Sequence, residues 1–118
     1  MDSRLEKALS FAEYRVTLFQ QLEALKLKTQ NGLMFSINGG TFRIDRELIS
    51  FVKTLLDDKQ TGAFLLDVNE LPIFIDDLPA FYEEIYSTYF EVMNDYGEEY
   101  ERIRRSRKVA SIIEIGEG

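Results

Sequence analysis

The sequence predicts an α+β fold in the order α-ββ-α-ββ-α: long N- and C-terminal helices packed with two β-hairpins, as a small antiparallel sheet, and one short helix. Apolar residues recur at spacings of three and four towards both ends of the chain, the signature of amphipathic helices. Between them that period changes. Two turn sequences, Asn38-Gly39-Gly40 and Asn69-Glu70, interrupt short apolar runs at corresponding places.

The first helix starts at an Asp2 or Ser3 cap and continues to about Leu27. Leu5, Leu9, Ala12, Val16, Phe19 and Leu22 form its stripe, widened by Ala8, Phe11, Tyr14, Leu18 and Leu25. Most charged positions, among them Glu6, Lys7, Glu13, Arg15 and Glu23, lie off that stripe. The expected cover is the long C-terminal helix within one chain; the alternative is pairing across a dimer axis.

Thr29-Gln30-Asn31-Gly32 reads as a helix stop, followed by a hairpin of Leu33 to Ile37 and Thr41 to Ile44. Gly39-Gly40 lacks the lysine and the strand-loop-helix setting of a phosphate loop, so it is a turn. Asp45 caps a helix carrying Leu48, Ile49, Val52, Leu55 and Leu56 that ends near Gln60-Thr61-Gly62. A second hairpin, Ala63 to Val68 and Leu71 to Ile75, leads to an Asp76 or Asp77 cap with Pro79 in the first turn of the long helix. Asn38, Phe42, Ile44 and Asp45 match Asn69, Ile73, Ile75 and Asp76 at an offset of 31, so a hairpin-helix unit is used twice.

The long helix spans Asp76 to Lys108 with a seam of Leu78, Tyr82, Ile85, Tyr89, Val92, Tyr96, Tyr100 and Ile103. At ~1.5 Å per residue it measures roughly 45 Å, whereas a globule of this size has a radius of gyration of about 13 to 14 Å. An overhanging seam that needs a partner is expected. Gly97 marks a soft point, as a bend or a close crossing, within a continuous helix. Arg102, Arg104, Arg105, Arg107 and Lys108 follow Glu98, Glu99 and Glu101, an order that matches the helix dipole and allows pairs four residues apart. The same cations could grip an acidic partner or a nucleic-acid backbone. Residues 109–118, with Val109, Ile112, Ile113 and Ile115, form a tail expected to dock as an edge strand or to enter a partner.

A chain of 118 residues is long enough for a single domain with a real core. It has no cysteine and no histidine, which removes disulfides, thiolate chemistry, the commonest general base and the commonest transition-metal ligand. No apolar run approaches a membrane span, and the start lacks a signal core, so a cytoplasmic location and no membrane partner are expected. The formal charge of −7 is uneven: residues 1–101 hold 9 basic and 19 acidic side chains, a net of −10, and residues 102–118 hold 5 and 2, a net of +3.

Asp57-Asp58 and Asp76-Asp77 are the tempting carboxylate pairs, and Asp67, Asn69 and Glu70 a tempting calcium turn. Capping at a helix start explains Asp76-Asp77 better; Asp57-Asp58, at a helix end where negative charge is unfavourable, reads as exposed loop acids, and the turn lacks a twelve-residue loop pattern, so no catalytic, cofactor-binding or metal-ligating residue is assigned and no cofactor is expected. The stretches NGGTFRIDRELISFVKTLL and YGEEYERIRRSRKV resemble small acidic accessory proteins of T4-like tailed bacteriophages. That resemblance implies virion assembly or binding of a host enzyme, in the host cytoplasm or the virion, and carries no active site. The expected function is a non-enzymatic protein-interaction or assembly module, self-associating as a dimer. Its anchors are Tyr89, Tyr96, Tyr100 and Ile103, with Arg102 to Lys108 steering an acidic surface. The alternative is an acidic regulator of a nucleic-acid-processing complex using the same cations, and behind it a carboxylate enzyme that uses a divalent cation.

Overall fold

The computed structural model describes the backbone of residues 3–116 and the side chains of residues 3–106. Its elements follow the expected order: α1 Ser3–Gly32, β1 Met34–Ile37, β2 Gly40–Arg43, α2 Arg46–Asp57, β3 Ala63–Leu66, β4 Pro72–Ile75 and α3 Leu78–Gly116. Asp2, offered as a cap for α1, lies outside the described residues. The chain divides into two compact units, one of residues 29–94 and one of the described parts of residues 1–28 and 95–118.

The 29–94 unit holds both hairpins. Asn38 and Gly39 adopt φ of 52° and 83°, the left-handed pair that a two-residue hairpin turn requires, and Phe35 pairs with Phe42 across it. β3 and β4 pair antiparallel, with Phe64 opposite Phe74 and Leu65 opposite Ile73. The hairpins remain two separate two-stranded sheets. They meet where Val68 N donates to Thr41 O at 2.9 Å, and at Gly40, where a Cβ would lie 2.5 Å from Ile73 Cγ1. Only glycine admits that approach.

Asp45 caps α2 by accepting from Leu48 N at 2.7 Å. The helix closes with Lys59 N to Leu56 O and Gln60 N to Leu55 O, both 2.9 Å, and Lys59 at φ 64° takes the left-handed position usually held by glycine. Asp77, the second of the two proposed caps, accepts from Ala80 N at 3.1 Å to start α3. The core of this unit is Phe42, Ile44, Val52, Leu65, Ile75, Leu78, Phe81 and Ile85, with the Phe42 and Phe81 rings edge to face at 5.5 Å. The hairpin-helix order therefore occurs twice, but the match extends only partly to burial: Ile44 and Ile75 are both buried, whereas Phe81 is buried and Phe51, which aligns with it after a one-residue slip, is half exposed.

Three expectations are corrected. α1 continues to Gly32, beyond Leu27, because nothing before Gly32 breaks a helix; a Cβ there would sit 3.2 Å from Val92, so the helix end packs closely on α3. α3 continues to Gly116, so the tail is helical up to that point and is not an edge strand; Val109 to Ile115 contains no proline or glycine to stop it. The stripe of α1 expected to be covered is exposed at Leu5, Leu9, Val16 and Phe19. The covered line is rotated from it and runs through Tyr14, Leu18, Leu22 and the buried Leu25. Both lines obey a helical period, so spacing alone could not choose between them.

Candidate interaction surfaces

Asp67 is the one buried carboxylate among the described residues. Oδ2 accepts from Thr41 N at 3.0 Å; Oδ1 accepts from Asn69 N at 2.9 Å and Leu71 N at 3.0 Å. The hydrogen bond from Thr41, then that from Leu71, holds its pKa below the ordinary carboxylate value; desolvation opposes them and the Asn69 bond adds to them. Both oxygens are thus occupied by backbone donors, and the side chain ties the second hairpin turn to β2. Among the described residues no group of three acidic side chains is placed to hold a metal ion.

The aromatic residues of α3 divide between its two ends. In the 29–94 unit Tyr89 packs half-buried against the core, while Tyr82, Tyr86 and Phe90 stack in a ladder with centroids 5.8 and 6.4 Å apart. Tyr86 and Phe90 are exposed and border a groove closed by Arg46, Ile49 and Met93. In the other unit Tyr96 stacks on Tyr100 at 6.1 Å; Tyr96 and Ile103 are half-buried and Tyr100 is exposed. Of the four expected anchors, Tyr100 is therefore the open one.

A second groove, within the unit of residues 1–28 and 95–118, is lined by Leu25, Lys28, Glu99, Arg102 and Ile103. Arg102 pairs with Glu99 at 2.6 Å and Arg104 with Glu101 at 3.4 Å, each one helical turn apart in place of the expected four-residue spacing. Exposed pairs of this kind contribute little, ~0.5 kcal/mol, but they share two of the cations with carboxylates of their own helix. Arg105 is exposed. The side chains of Arg107 and Lys108 lie outside the described residues.

Two apolar surfaces stand open. On α1 the exposed line Leu5, Leu9, Ala12, Val16, Phe19 keeps a four-three-four-three spacing, with Val16 55% and Phe19 64% exposed. On the β3–β4 hairpin, Ala63, Leu65, Ile73 and Ile75 face the core, while Phe64, Leu66, Pro72 and Phe74 face outward. Periodicity assigns these outward residues to strands without assigning them to a surface. The available signal was that both alternating sets are apolar, where a hairpin with one wet face alternates. No protein-family model, curated protein or solved structure matches this chain.

Proposed function

We propose that this chain is a non-enzymatic protein-interaction or assembly module that self-associates, as a dimer, through its long amphipathic helices. The observation that carries the proposal is the exposed line on α1: five apolar residues at heptad-like spacing, opposite the face the helix uses within its own chain. In a two-stranded coiled coil such a line buries itself against its own copy, with Leu9 and Val16 in one core layer type and Leu5, Ala12 and Phe19 in the other. A monomer leaving such a line in water forgoes ~25 cal/mol for each Å² that pairing would cover. Tyr100 on α3 adds aromatic area at the same kind of surface. The resemblance to phage accessory proteins is in keeping with an assembly role, and the protein partner is a second copy first.

Sedimentation velocity across a micromolar concentration series is the test. A dimer is expected for the native chain, and a monomer of unchanged helix content for Val16→Glu with Phe19→Glu. A native chain that stays monomeric up to high micromolar concentration removes self-association.

A further inference from the structure

The two hairpins share one topology and stand in one unit, which makes the first a control for the second. On β1–β2 the outward positions are Met34, Ser36, Thr41 and Arg43, an ordinary wet face. On β3–β4 every outward position is apolar. Phe64 and Leu66, at 70% and 66%, are the most exposed large apolar side chains among the described residues. Phe64 and Phe74 already lie against each other, with ring centroids 5.1 Å apart, and the Phe74 ring rests over Gly62, whose missing Cβ would be 3.2 Å from it. The platform is thus formed before anything lands on it, so little side-chain freedom remains to be lost on binding.

Its surroundings are net acidic. Residues 29–94 contain 4 basic and 11 acidic side chains, a net of −7, equal to the formal charge of the whole chain. Asp57 and Asp58, followed by the single cation Lys59, precede β3, Glu70 sits in the turn, and Asp76 and Asp77 follow β4. Beside Leu66 and the half-exposed Phe51, Asp45 and Glu47 line a groove in which Arg43 is the single cation. The same face of a second copy docked here would set acid against acid, and an anionic lipid surface would meet the same repulsion. Lysines or arginines flanking an apolar stretch would gain from this net negative charge.

We propose that the outer face of the β3–β4 hairpin, Phe64, Leu66 and Phe74 with their acidic border, docks a protein segment whose apolar side chains are flanked by lysines or arginines. The proposal rests on the reading of the chain as an interaction module, but assigns this face to a different protein from the one that meets α1. The apolar platform supplies the contact area, and the carboxylates choose the partner and speed its approach.

The test is a fluorescence-anisotropy titration of the full chain with two amphipathic peptides of about 16 residues, alike in their leucine and phenylalanine face and carrying either lysine or glutamate on the other. The lysine peptide is expected to bind at least about tenfold more tightly, with the difference shrinking as salt is raised. Phe64→Ser and Leu66→Ser are each expected to weaken it about fivefold or more, while Met34→Ser on the first hairpin leaves it unchanged. Both targets are exposed, so circular dichroism melts of the variants should stay close to the native chain. Equal affinity for the two peptides, no binding of either, or indifference to Phe64→Ser overturns the proposal. A dimer that Phe64→Ser dissociates also overturns it, by making the second copy the occupant, as does equal recovery on anionic phospholipid vesicles. Dimerisation through α1 that persists while the peptides fail removes the hairpin site and keeps the interaction reading; a chain that is monomeric and binds neither peptide removes both.

Discussion

Asp67 shows how much one side chain can fix. Its oxygens accept three backbone N–H groups from two different strands' surroundings, and without them Thr41, Asn69 and Leu71 would lose a partner each. Because the folded pKa lies below the ordinary value of 3.8, its contribution is complete above about pH 4 and disappears as pH falls through the folded pKa. Asp67→Asn replaces one acceptor oxygen by a donor facing another donor. The variant should therefore melt lower at neutral pH, and the gap to the native chain should narrow as pH drops below about 4. Thermal melts from about pH 2.5 to 7 measure this; a gap that does not change with pH would show that the carboxylate charge is not what matters. In the sequence Asp67 looked like one of three acids or amides in a turn. Its partner Thr41 is 26 residues away, and no local pattern points there.

At the scale of elements, local chemistry was legible wherever a cap or turn determines its own neighbours. The Asn38-Gly39 turn, the Asp45 cap and the Asp77 start of α3 all follow from residues within four positions. Helix ends were less legible, since α1 and α3 both run on until a glycine, past points where polar or basic residues suggested a stop. Gly97 sits inside α3, and apart from its own stretch of helix no described atom lies within 4 Å of where a Cβ would be, so it does not serve a close crossing. Gly97→Ala should accordingly stabilise the protein by about 1 kcal/mol in urea unfolding. A loss of stability would mean that the helix needs glycine's backbone freedom at that point.

For the whole molecule, the balance lies between exposed apolar surface and net charge. Large apolar side chains are open on α1, on the β3–β4 hairpin and on α3, and a formal charge of −7 holds copies apart wherever contacts are not specific. Light scattering should rise as the pH is lowered towards the isoelectric point of about 4.6, where net repulsion vanishes, and fall when neutral pH is restored. Flat scattering through that range would mean that the apolar surfaces are not adhesive. The negative charge is confined in net terms to residues 29–94, because residues 1–28 and 95–118 together carry 10 basic and 10 acidic side chains. The contrast between the first hundred residues and the basic end concealed that partition, which appears only once the chain's two ends are grouped in one unit.

The order α-ββ-α-ββ-α, the turn at Asn38-Gly39 and the helix caps were determined by the sequence alone, because each depends on backbone preferences and side chains a few positions apart. Which of two equally periodic lines on α1 is covered, why Phe81 is buried and Phe51 is not, and that Asp67 joins the hairpins were decided by tertiary structure. Burial depends on what arrives from distant parts of the chain, and a repeat in sequence carries no record of which neighbour that will be.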